Sequence, residues 1–235
     1  EEVQSILDDI RAEPTFAESP DLQNQLEIIT GEIHLMRCEY TAANEQLRKT
    51  ITALPDHGQD WWMAHLLLGL VTYQRCDWQE LVRVHQVNLD SPSRHYANIS
   101  QVHAQLAVAH HKLGDTESAG QRIQQAEFNA SRVHNDFDLV DAYRTLSECQ
   151  LVLGNTERAE EAALAGVGIG LRHSATYPVL TLLLVLAELA WQAGDTRRVA
   201  FLMTEAKLIV ERGVLVRNRD LVLYHYFRAI SAEPD

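Results

Sequence analysis

The sequence predicts an all-α protein built of paired helices, and three observations carry that expectation. A seven-residue pattern recurs at fixed intervals, apolar residues on both sides of it follow helical spacing, and breakers are few, with six prolines and eleven glycines in 235 residues. Three copies align without gaps: Leu113-Gly114-Asp115-Thr116-Glu117-Ser118-Ala119, Leu153-Gly154-Asn155-Thr156-Glu157-Arg158-Ala159 and Ala193-Gly194-Asp195-Thr196-Arg197-Arg198-Val199. Gly114, Gly154 and Gly194 step by 40 residues. Two further copies, Arg37-Cys38-Glu39-Tyr40-Thr41-Ala42-Ala43 and Arg75-Cys76-Asp77-Trp78-Gln79-Glu80-Leu81, put Cys in the glycine's place at steps of 38. Such a period marks a stack of helix pairs, each burying its apolar face against its neighbours.

Each copy is a helix–turn–helix junction. Gly tolerates the left-handed conformation that ends a helix, Asp or Asn after it caps the next, and Glu117 and Glu157 fall in the favourable first turn. Leu106, Ala109 and Leu113 before the turn, and Ala119, Ile123 and Ala126 after it, keep helical spacing. An acidic helix over 2–12 is expected first. The pairs follow at 22–37 and 40–53, 59–75 and 78–89, 96–113 and 116–133, 137–153 and 156–172, and 176–193 and 196–212. A final helix over 215–231 carries Leu221, Tyr224 and Phe227 on one face. The chain thus reads as one stack, with 1–21 as an N-terminal segment, repeats at 22–57, 58–94, 95–134, 135–174 and 175–213, and a cap at 214–235. Within the eighth repeat helix, Gly166-Val167-Gly168-Ile169-Gly170 has neither the strand nor the Gly-x-Gly-x-x-Gly spacing of a phosphate loop. Its glycines predict close helix approach and a kink, since each costs about 1 kcal/mol against Ala in a helix interior. Of Trp61 and Trp62, one is expected to pack and the other to be exposed or to meet a flanking domain.

Composition narrows the function. Thirty-three acidic residues against 20 basic give a formal charge of −13, which repels phosphate backbones, so no direct nucleic-acid partner is expected. Residues 1–60 hold thirteen acids and four bases, −9 of that total; this end either steers a basic partner or is a solvated face. Three cysteines, Cys38, Cys76 and Cys149, in no paired pattern predict a reducing, cytoplasmic setting. The longest apolar stretch falls far short of the ~20 residues a membrane span needs. The chain opens Glu1-Glu2-Val3 without an initiator Met, which suggests a segment of a longer protein.

The arrangement resembles the tetratricopeptide repeat family over about residues 20–212. The family's small residue in the first helix is matched by Gly31, Gly69, Ala107, Ser147 and Ala187, its alanine in the second by Ala43, Ala119 and Ala159, and its closing proline by Pro55 and, one residue early, Pro92. Leu81 and Val199 depart from the alanine, and the later copies lack the proline and carry longer second helices. The resemblance implies a right-handed superhelical solenoid of about five helix pairs with terminal capping helices, first helices lining a concave groove. Carrying over the family's inward positions places Glu32, Tyr73, His111, Lys112, Asp141, Arg144, Glu148, Glu188 and Trp191 in that groove as candidate ligand contacts. Apolar members such as Leu66, Leu70, Val152 and Leu180 are expected to be core. Chaperone-binding members clamp a carboxylate tail with Lys and Asn at positions held here by Ile28, Glu32, Leu66 and Leu70, so an apolar or basic partner is expected instead.

No catalytic or cofactor constellation accompanies the repeats. His103, His110 and His111 share a helix without a third ligand or a His-Glu-x-x-His motif, so no metal site is expected, and Cys149 has no evident His partner. The leading reading is a non-catalytic peptide- or protein-binding module. The 40-residue units are also similar in texture to sensor arms of large bacterial regulators of the maltose-regulon activator type, where a small-molecule inducer or regulatory protein is the ligand. The alternatives are a scaffold packing through its ends, for which Tyr224, Tyr226 and Phe227 are candidates, and an enzyme using Glu148, Glu188 or His111.

Overall fold

The computed structural model describes residues 2–13, 19–54, 58–90, 96–173, 176–212 and 218–231, and among these it contains twelve α-helices and no strand. They are α1 (Glu2–Ala12), α2 (Pro20–Met36), α3 (Tyr40–Ala53), α4 (Gln59–Gln74), α5 (Trp78–Asp90) and α6 (Tyr96–Lys112). After them come α7 (Thr116–Ala130), α8 (Asp136–Val152), α9 (Thr156–His173), α10 (Thr176–Gln192), α11 (Thr196–Val210) and α12 (Asn218–Ser231). The helices pack in adjacent pairs, α2/α3, α4/α5, α6/α7, α8/α9 and α10/α11, as the repeat spacing predicts.

The turns within the pairs share one hydrogen-bond pattern. The amide of the residue after the turn reaches back to the carbonyl five positions earlier: Glu39 to His34 at 2.9 Å, Asp77 to Thr72 at 3.2 Å, Asp115 to His110 at 2.8 Å, Asn155 to Gln150 at 2.9 Å and Asp195 to Ala190 at 2.9 Å. This bond satisfies helix-end carbonyls and requires a left-handed residue between. Gly114, Gly154 and Gly194 take it at φ 85°, 80° and 75°, and Cys38 and Cys76 take it at φ 61° and 57°. Asp115 and Asp195 then cap α7 and α11 through Ser118 N at 3.0 Å and Arg198 N at 2.9 Å.

The chain divides into two compact units, residues 1–93 and 94–235. In the first, α2 and α4 lie side by side, with α3 against both and α5 against α4. In the second, α6, α8 and α10 are successive neighbours, each paired with its own second helix, and α12 closes on α10 and α11. The core of this unit runs from Val140 through Leu180, Leu182 and Leu186 to Met203, Tyr224 and Phe227.

Three expectations change in detail. Trp61 and Trp62 are both buried, because α4 is packed on nearly every face. On α12, Tyr224 and Phe227 are buried and Tyr226 is exposed. The glycines of α9 produce close approach within one continuous helix: a Cβ on Gly170 would lie 2.3 Å from Val179 Cγ2, and one on Gly166 2.7 Å from Leu182 Cδ1. Residues 213–217, which include the expected start of the last helix, lie outside the described residues.

Candidate binding surface

Three of the expected site residues form one charged stripe on α8. Asp141, Arg144 and Glu148 are spaced i, i+3, i+7, so helical geometry sets them on one face. Arg144 Nε donates to Asp141 Oδ1 at 2.7 Å and Nη1 to Glu148 Oε2 at 2.7 Å. The other oxygen of Glu148 accepts from Arg219 Nη1 of α12 at 3.2 Å, and the Arg144 guanidinium lies 6.0 Å from the Tyr177 ring centroid of α10. Arg144 is only 7% exposed. Desolvation opposes its charge, but Asp141, Tyr177 and Glu148 outweigh that opposition and hold the guanidinium firmly protonated. The cluster ties α8, α10 and α12 together, and its buried cation is already engaged by two carboxylates.

The remaining residues lie on other helices. Glu32 on α2 and Tyr73 on α4 belong to the first unit; burial by its surroundings raises the Glu32 carboxyl above its ordinary range, and the Tyr73 ring meets Trp78 edge-on at 5.8 Å. His111 and Lys112 end α6, and Glu188 and Trp191 occupy the last two turns of α10. Among the apolar groove positions, Leu66 and Leu180 are buried and Leu70 is half-buried, while Val152 is exposed.

The register makes one feature visible that the individual positions hide. His111, Leu151 and Trp191 are equivalent residues at the C-terminal ends of α6, α8 and α10, three helices that pack in succession; Trp191 is exposed, His111 is half-buried, and Leu151 is half-buried against the core of the unit. Trp191 is 40% exposed, with Leu113 and Val152 also open beside this row. Glu148 and Glu188, again equivalent by the 40-residue step, stand one turn behind it. Tyr177 and Arg219 were not recognised from the sequence: Tyr177 opens a helix at a position given no inward role, and Arg219 belongs to the last helix, which lies outside the repeat.

Among the described residues, no group of three His, Cys, Asp or Glu side chains is placed to hold a metal ion, and no helix is long and apolar enough to cross a membrane. His110 instead faces Asp115 Oδ2 at 3.4 Å, and His103 faces Arg122 Nη1 at 3.4 Å. No protein-family model matches the chain, and no curated protein matches it significantly.

Proposed function

We propose that the chain is a non-catalytic binding module of the tetratricopeptide type that captures a peptide or protein partner on the first-helix side of its second unit. The right-handed superhelical winding implied by that resemblance belongs to the same proposal, as does a place in a larger regulatory protein. The observation that carries the reading is the row His111, Leu151 and Trp191 along three adjacent helix ends, with Glu148 and Glu188 behind it. A partly accessible aromatic and aliphatic row beside Glu188, which among the described residues meets the neutral Gln192 amide, suits a segment with apolar side chains and a basic residue. Glu148 is held by Arg144 and Arg219, so its position is fixed before a partner arrives.

The test is selection of ligands from a random peptide display library on the whole chain, followed by affinity measurement on variants. Trp191→Ala is expected to weaken the selected peptides about tenfold or more, as loss of an aromatic anchor does. Glu188→Lys is expected to weaken those bearing a basic residue. A second reading has its own support: Val222 and Tyr226 on α12 are 68% and 52% exposed, an apolar end face of the kind a scaffold uses. Ligands that ignore both groove substitutions but are lost in Val222→Asp would overturn the first reading in favour of the scaffold.

A further inference from the structure

Two clefts in the chain are built on one plan. In the first unit α3, α4 and α5 line an open cleft of about 500 Å³, and in the second α7, α8 and α9 line one of about 380 Å³. Their linings correspond across two repeats: His65 answers Tyr143, Glu80 answers Arg158 and Arg83 answers Glu161. The frame is shared, while the ring and both charges differ. The first cleft therefore has its own chemistry, and the second serves as an internal comparison.

At the rim of the first cleft one carboxylate holds two cations. Glu80 Oε1 accepts from Arg48 Nη2 at 2.6 Å and Oε2 from Arg83 Nη1 at 2.7 Å. Arg48 is steadied further by Asn44 Oδ1 at 3.2 Å from its Nε. Each guanidinium has five N–H donors, so both keep donors to spend, and the rim carries one net positive charge in an otherwise acidic protein. Buried Leu68 and Val84 make the apolar wall.

Inside stands His65, only 9% exposed. Its Nδ1 lies 2.9 Å from the Trp61 carbonyl, which only accepts, so Nδ1 carries the hydrogen. The ring is packed at 3.8 Å from the Trp61 ring centroid. Desolvation, reinforced by the charge of Arg48 and opposed by the Trp61 carbonyl, holds the imidazole below its ordinary pKa. The ring is thus neutral at physiological pH, and its Nε2 is an acceptor to which no described residue donates. Because His65 lines the cleft, a ligand lying there can donate a hydrogen bond to this acceptor.

We propose that this cleft binds a small organic carboxylate that also carries a hydroxyl or N–H group. The carboxylate sits against the free N–H edges of Arg48 and Arg83, where planar guanidinium groups favour a planar anion. The body of the ligand lies on Leu68 and Val84, and its hydroxyl or N–H donates to His65 Nε2. The volume falls within the range of small-molecule sites. This site lies in the other unit from the row at His111, Leu151 and Trp191, so it stands or falls separately from the partner-binding reading.

The test follows the histidine ring resonances of the whole chain by NMR during titration. The probes are the three hydroxybenzoate isomers, which present the two groups at three spacings, with benzoate, phenol and inorganic phosphate as comparisons. At least one isomer is expected to shift the His65 signals saturably, and to bind about tenfold tighter than benzoate, which lacks the donor, or phenol, which lacks the charge. Arg83 is 70% exposed in its side chain, so Arg83→Gln preserves the fold; it is expected to weaken the isomer and benzoate alike and leave phenol unchanged. The proposal is overturned if no isomer moves the His65 signals, if Arg83→Gln leaves the binding unaltered, or if inorganic phosphate matches the best isomer.

Discussion

Cys38 and Cys76 occupy the turn position at which the three later repeats carry glycine. An L-residue in the left-handed region costs roughly 1–2 kcal/mol, because Cβ crowds the following carbonyl. Glycine removes that strain but loses more backbone freedom on folding, so the two effects partly cancel. Cys76 is exposed and contributes no packing that glycine would forfeit. Cys76→Gly is therefore expected to stabilise the chain by about 0.5–1 kcal/mol, seen as a higher denaturation midpoint at constant slope. Arg144 presents the opposite case. Its removal takes a cation from Asp141 and Glu148 at once and leaves Glu148, whose side chain is 14% exposed, to Arg219. Arg144→Ala is expected to cost about 3 kcal/mol in urea unfolding, the scale for breaking a buried pair on one side. A loss of binding in that variant would report on folding first, which is why Trp191 and Glu188 are the better probes of the proposed surface.

At the scale of the helix, α9 separates two roles of glycine that look identical in the sequence. Gly168 has nothing within 4 Å of where a Cβ would stand, whereas Gly170 faces Val179, a stiff β-branched side chain. Gly168→Ala is expected to stabilise by about 0.5–1 kcal/mol through helix propensity alone. Gly170→Ala is expected to destabilise by about 1 kcal/mol or more, because overpacking exceeds the propensity gain; paired thermal melts check both signs. The sequence reading anticipated close approach here but also a kink, which requires knowing what lies across the interface. Helix positions were legible because the turn chemistry repeats and apolar spacing continues on both sides of it. The expected start of α2 at residue 22 falls two residues late, because Ser19 caps the helix and Pro20 opens it, proline being suited to a first helical turn. The charged stripe of α8 was also legible, as three residues on one helical face. Its partners were not: Arg219 joins Glu148 across 71 positions, a pairing that no local pattern encodes. His65 was missed for a similar reason, because its importance rests on a carbonyl one turn earlier and on two arginines from other helices.

For the whole molecule, the change of turn residue from Cys to Gly and the division of the chain fall together. The copies with Cys at the turn lie within residues 1–93, and those with Gly lie within 94–235. The second unit has the means to stand alone. Its apolar cluster is continuous from Val140 to Phe227, and α12 seals it with Tyr224 and Phe227. The buried Asp220 adds a polar fastening, accepting from Thr181 Oγ1 at 3.1 Å, so α12 is bonded to α10 and not merely laid against it. A chain of this length buries enough surface to fold independently. Residues 94–235 expressed alone are expected to give a helical circular-dichroism spectrum and a single cooperative melt. Truncation before Asn218 removes Tyr224, Phe227 and the Thr181–Asp220 bond at once, and is expected to lower that melt by several degrees. If the fragment melts without cooperativity while the full chain does not, the first unit is completing the core of the second, and the division describes contact density without describing folding.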